Sequence, residues 1–326
     1  MVKRLMLLFT ACALVLGLSG MASAAPRTLK FSSHLPANDL TQRVLQESFF
    51  KPLEESGRWK VEYYPGGALG NTSTIVEGLG MGIVDMAMES CGQMAQFAPD
   101  LGIVEVPYLF NEKDAKALVG SPAWKELLNA GEKSGLKIVD FWWGFPREFI
   151  SREPYTKASD FVDKKHRTTG ARVHIQAAES LGVKPVPSPT SEVLTGLQQG
   201  VFDSTDYSLT AMTSQRLIDV AKNITMTNHA QVMGPIYCEE EWWEALPQED
   251  KDLFTKAGAQ YREALMKAVA DSMEGVLDNI RKHGVAVHYL PPEEMDILVK
   301  KSGSIYDKLS DRDKELYRMI KEAIKK

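Results

Sequence analysis

Arginine is the residue whose placement in this chain suggests chemistry. Arg147 follows the aromatic run Phe141-Trp142-Trp143-Gly144, and Arg167 precedes Thr168-Thr169-Gly170, where a helix is predicted to begin. A guanidinium is permanently charged, and its fork fits a carboxylate with two parallel hydrogen bonds. A helix N-terminus nearby adds N–H donors and positive potential for an anion. Each arginine fits two roles, anchoring an anionic ligand or closing an internal ion pair, and the two residues by themselves leave both open.

No other grouping assembles into a catalytic constellation. The sequence holds no Gly-rich phosphate loop, no G-x-S-x-G elbow and no His-Glu-x-x-His pair. The six histidines, His34, His166, His174, His229, His283 and His288, lack the spacing of zinc ligands and read as polar or capping residues. Glu239-Glu240-Glu241 reads as a solvated charge run. The expectation is a protein that catalyses no reaction and takes no cofactor or metal.

Residues 1–24 read as an address and not as structure. Lys3 and Arg4 lead into an apolar run from Leu5 to Leu18, and Ala22-Ser23-Ala24 supplies the small-residue pattern for cleavage after Ala24. Cys12 lies inside the apolar run, which argues against a lipid anchor there. Losing Lys3 and Arg4 moves the formal net charge from -5 to -7, a balance that suits neither nucleic acid nor an anionic membrane surface. Cys91 and Cys238 then read as two buried free thiols.

The elements that must position the arginines alternate between strand and helix, which predicts an α/β fold with a largely parallel sheet. Strands are expected at Thr28–Ser33, Trp59–Tyr64, Ile83–Met88 and Leu136–Trp143, and helices at about Leu40–Ser56 and from Thr72. Lys113–Ser134 reads as helices broken at Gly120-Ser121-Pro122. Leu253, Ala257, Tyr261, Leu265, Val269, Val276 and Ile280 recur at helical spacing, with one longer gap, between Pro247 and Gly284. That periodicity predicts one long helix, packed along one large domain or running across two.

Several segments, in order, resemble the solute-binding proteins of TRAP transporters, of the C4-dicarboxylate-binding type. Pro65-Gly66-Gly67-Ala68-Leu69-Gly70 is similar to the family's glycine turn, and Gly82-Ile83-Val84-Asp85-Met86-Ala87 to its entry into a strand. Pro107-Tyr108-Leu109-Phe110, Ser191-Glu192-Val193, Gly200-Val201-Phe202-Asp203 and Thr227-Asn228-His229 match in turn. Arg147 and Arg167 keep the family's separation of twenty residues, and Ser180-Leu181-Gly182 follows at the expected distance.

The resemblance implies a two-domain periplasmic-binding-protein architecture with a long helix spanning both domains. The implied division is a signal peptide at 1–24, domain I from 25–146 plus about 232–270, and domain II from 147–231 plus about 271–326. It implies that Arg167 makes the main salt bridge to a substrate carboxylate, with Arg147, Glu89, Ser90, Tyr207, His34 and Asn71 adding contacts. Tyr207 stands where the family commonly has asparagine, and with Trp142, Trp143 and Phe145 it points to a ligand bulkier or flatter than succinate, such as a sugar acid or an aromatic acid. The expected protein is a monomeric periplasmic receptor that delivers a small carboxylate to TRAP permease membrane subunits. The alternatives are a binding protein for an ATP-driven importer or a sensor and, less favoured, a secreted carboxylate-processing enzyme.

Overall fold

The structure, a computed structural model, describes residues 25–325; the expected signal peptide at 1–24, with Cys12, lies outside the described residues. The strands are β1 (Arg27–Ser33), β2 (Trp59–Tyr64), β3 (Met86–Met88), β4 (Leu136–Ser151), β5 (Lys165–Thr168), β6 (Lys184–Pro187), β7 (Ser204–Tyr207), β8 (Asn223–Glu239) and β9 (Ala286–Tyr289). They form one mixed sheet in the order β2-β1-β3-β8-β4-β7-β5-β6, with β9 beside β8. The expectation of a largely parallel sheet needs correction. Each end is parallel, β2-β1-β3 on one side and β7-β5-β6 on the other, but β4 and β8 run antiparallel to each other through the middle.

These two strands join the halves. The first part of β4 pairs with the end of β8, Leu136 opposite Glu239 through Trp143 opposite Met233, and its last part pairs with the start of β8 and with β7. Register shifts fall between, at Trp143/Pro146 and Arg147/Phe149. Pro146 has no N–H for the ladder, and bulged strands bend at such places.

Apolar side chains alternate to opposite faces of each half, as a strand's period of two requires. Near β3, Met86, Met88, Ile236 and Cys238 pack on one face, while Ala87, Tyr237, Ile138 and Phe141 pack on the other. The other half has its own pair of cores, one around Ile150, Leu197, Phe202 and Ile224, the other around Phe149, Tyr155, Phe161 and Leu181.

Six helices serve the argument: α1 (Leu40–Leu45), α2 (Thr72–Gly80), α3 (Cys91–Met94), α4 (Arg172–Leu181), α5 (Leu209–Ser214) and α6 (Gln248–Lys282). α1 continues through a widened turn at Gln46–Phe50 into Lys51–Glu55, and the wide turn precedes Pro52, which has no N–H to give. α6 is the predicted long helix, 35 residues and so about 50 Å from end to end. Phe254, Tyr261 and Leu265 lie in the core of the first half and Leu277 and Ile280 in that of the second, so the helix packs against both. Arg262 fastens it to the middle strand through a buried ion pair with Asp140. Cys91 and Cys238 are buried and free, as expected.

Candidate functional site

The site starts from a cation that cannot be neutralised. Arg167 lies on β5 and is 2 % exposed. Its Nε and Nη2 donate to the Ser188 carbonyl at 2.9 and 2.6 Å, and Nη1 donates to the Tyr207 hydroxyl at 3.1 Å. Both partners are neutral, and no carboxylate among the described residues lies within salt-bridge distance of it. A guanidinium has five N–H donors. One N–H on each Nη is therefore left over for an anion.

Arg147 has the opposite setting. It sits on β4 within the register shifts and is buried, with Nε 3.1 Å from Glu105 Oε2 and Nη1 3.3 Å from Asp206 Oδ2. Burial works against its charge, but Glu105 and Asp206 hold it in the charged form more firmly than usual. Asp206 also gathers three histidines, His229 Nε2 at 3.0 Å, His166 Nε2 at 3.3 Å and His174 Nε2 at 3.5 Å. Despite burial, Arg147, His174 and His166 keep the Asp206 carboxyl well below its ordinary range. Arg147 thus lines the cavity with its charge already matched from within.

A third group lines the same cavity as both arginines. Glu89 follows β3, with Oε1 3.0 Å from His34 Nδ1 and 2.7 Å from the Ser90 N–H, and Oε2 accepts from the Thr72 hydroxyl at 3.0 Å. Burial would favour the neutral acid, yet the His34 charge and these donors hold Glu89 below the usual carboxylate range. His34 moves up in return: burial opposes its charge, and Glu89 overcomes it. The two shifts have the signs of one ion pair.

Six of the seven predicted residues, Arg167, Arg147, Glu89, Ser90, Tyr207 and His34, line one inner cavity of about 30 Å3, together with Trp142 and Thr169. Asn71 does not reach it. It lines an adjoining outer cleft of about 470 Å3, which shares His34, Glu89, Gln93 and Thr190 with the inner part. Asn71 and Ser90 are also helix caps. Asn71 Oδ1 accepts from the Thr74 N–H at 3.1 Å to start α2, and Ser90 Oγ accepts from the Gln93 N–H at 3.3 Å to start α3. No residue of α4 lines either part, so the expected helix N-terminus beside Arg167 does not contribute.

The aromatic wall also needs correction. Trp142 faces the inner cavity, with Nε1 3.1 Å from the Glu89 carbonyl, whereas Trp143 and Phe145 are buried in opposite cores. Sequence reasoning missed Gln93 and Thr190, which meet at 2.9 Å, as well as Ser32, Ser33 and Gln215 on the outer cleft. Ser90 and Gln93 have the spacing of a capping box, which marks a helix start but not the distant partner. Nothing in the sequence signals that His166, His174 and His229 meet at Asp206.

The model of the family described as bacterial extracellular solute-binding protein, family 7, matches residues 31–313. The 2,3-diketo-L-gulonate-binding periplasmic protein of Escherichia coli is 25 % identical over 270 residues, 82 % of each chain. The sugar acid binding protein of Advenella mimigardefordensis, solved with galactonate, superposes with a TM-score of 0.86 at 25 % identity, covering 92 % of this chain and 98 % of that one. A TRAP periplasmic solute-binding protein of Haemophilus influenzae with bound L-gulonate gives a TM-score of 0.84 at 26 % identity, covering 91 % and 99 %.

Proposed function

This chain belongs to family 7 of the bacterial extracellular solute-binding proteins and is a TRAP-type receptor, and from that premise we propose that it captures a sugar acid with its carboxylate on Arg167. The observation that carries the reading is the buried Arg167 guanidinium, which meets only neutral acceptors and keeps a pair of N–H donors for an anion. The rest of the cleft suits a polyol. Ser32, Ser33, Asn71, Thr72, Gln93 and Thr190 offer hydroxyl and amide groups along it, and the ligands named for the relatives are galactonate, L-gulonate and 2,3-diketo-L-gulonate. An aromatic acid is less well served, because Trp143 and Phe145 pack into the cores.

The proposed division is 25–146 plus about 232–270 for domain I and 147–231 plus about 271–326 for domain II. The register shifts of β4 near Pro146 and Arg147 fall at that boundary. The cleft then closes by a hinge, removing water from the Arg167–carboxylate pair. On this reading the chain is exported by the segment 1–24, works in the periplasm as a monomer without turnover, and hands its ligand to TRAP permease subunits.

Replacing Arg167 tests the reading. With galactonate as probe, Arg167→Ala should lower affinity by about 3 to 5 kcal/mol, more than a hundredfold, because the ligand's carboxylate is left buried without a cation. Isothermal calorimetry on native and variant protein checks this, with circular dichroism to show that the variant is folded. Near-native affinity in the folded variant would overturn the assignment.

A further inference from the structure

The charges around the cleft carry the sugar-acid reading one step further. Three lining residues have basic side chains, His34, Arg147 and Arg167. Arg147 is matched by Glu105 and Asp206, and His34 by Glu89. Arg167 alone meets neutral partners only. We infer that the cleft selects acids with a single negative group, so that a polyhydroxylated monocarboxylate binds in preference to the diacid of the same length and stereochemistry. The inference rests on the assignment of the carboxylate to Arg167.

The two ends of the ligand meet different settings. One carboxylate takes the two remaining N–H donors of Arg167. The chain of the ligand then extends past Glu89 and His34 into the outer cleft, where Ser33, Asn71, Thr72 and Gln93 are neutral. A terminal hydroxyl is satisfied there, since amides donate and hydroxyl oxygens accept. A terminal carboxylate finds no cation among the lining residues that is not already paired, and Glu89, which lines both parts, is of like sign. Desolvating an anion without a partner, beside a second anion, costs far more than desolvating a hydroxyl. Glu89 is then a specificity-determining residue in two ways: it repels a second carboxylate, and it occupies the one histidine that could receive it.

Matched pairs make the test. Calorimetry would compare galactonate with galactarate, and erythronate with tartrate of the same configuration, on the native protein and on Glu89→Gln. The monoacid of each bound pair is expected to bind about a hundredfold more tightly than its diacid. In Glu89→Gln the ratio is expected to narrow at least severalfold, because the like charge facing a second carboxylate is removed. A diacid that bound the native protein as tightly as its monoacid would overturn this inference and leave the Arg167 reading standing. An unchanged ratio in folded Glu89→Gln would overturn the role given to Glu89. If no member of either pair bound, the sugar-acid reading would fail and this inference with it. The native comparison decides even where the variant does not fold.

Discussion

Glu148 and Arg167 are both buried, and neither has an oppositely charged partner within salt-bridge distance among the described residues. The fold treats them differently because only one of them can discharge. Burial pushes the Glu148 carboxyl up to about 8, even though the Thr227 and Asn228 N–H groups donate to its Oε2 at 2.6 and 2.8 Å. Arginine cannot follow that route, since its proton stays on at any ordinary pH, and an external anion is its remaining partner. The sign of the Glu148 effect is definite. Its folded value lies above the ordinary 4.5, so its contribution is whole below that pH, falls progressively as pH rises, and is gone above about 8. Glu148→Gln should therefore flatten the decline of stability between these limits, by roughly 3 to 5 kcal/mol at the alkaline end. Urea denaturation at pH 5 and pH 8.5 checks this, and parallel pH profiles for the two proteins would contradict it. Arg167 was legible in the sequence because its neighbours and spacing match a family pattern. Glu148 was not, since nothing local to Arg147-Glu148-Phe149 reveals that the carboxyl lies under the turn at Thr227 and Asn228.

At the scale of elements, the site depends on how closely β8 passes the end of β3. A Cβ on Gly234 would collide with the Glu89 carbonyl oxygen and lie 2.8 Å from Trp142 Nε1. The absence of a side chain there lets Glu89 take its place between β8 and His34. Gly234→Ala is expected to force these strands apart, costing about 1 to 3 kcal/mol of stability and weakening ligand binding by displacing Glu89. A melting curve and a binding isotherm on the same variant check both, and unchanged values in each would contradict the close approach. Most strands and the long helix were legible from their periods. The full length of β4 was not, because Gly144 and Pro146 read as the end of a strand, whereas the chain passes through them with shifted register and continues to Ser151. The predicted strand at Ile83–Met88 is shorter in the structure, Met86–Met88, since Ile83 and Val84 close the turn after α2 by bonding to the Gly78 carbonyl.

At the scale of the molecule, the two halves of the cleft touch directly. Gln93 Nε2, on α3, donates to Thr190 Oγ1 at 2.9 Å, and Ser214 Oγ, at the end of α5, donates to Asp39 Oδ2 at 2.9 Å. Both bonds join segments that the proposed division assigns to different domains, and the proposed hinge closure would be held by them. One such bond contributes about 1 kcal/mol net. Gln93→Ala should accordingly raise the rate of ligand release about fivefold while leaving the association rate nearly unchanged, a difference that stopped-flow fluorescence resolves. An unaltered release rate would remove Gln93 from the closure. The two-domain plan was legible through the family resemblance and not from periodicity, which left the long helix consistent with one domain or two. What ties these scales together is the position of one carboxylate. A crystal structure of the protein with bound galactonate is the sharpest test: the carboxylate is expected on both Nη atoms of Arg167, with the hydroxyls toward Glu89 and Asn71, and a carboxylate seated on Arg147 or His34 with Arg167 unengaged would refute it.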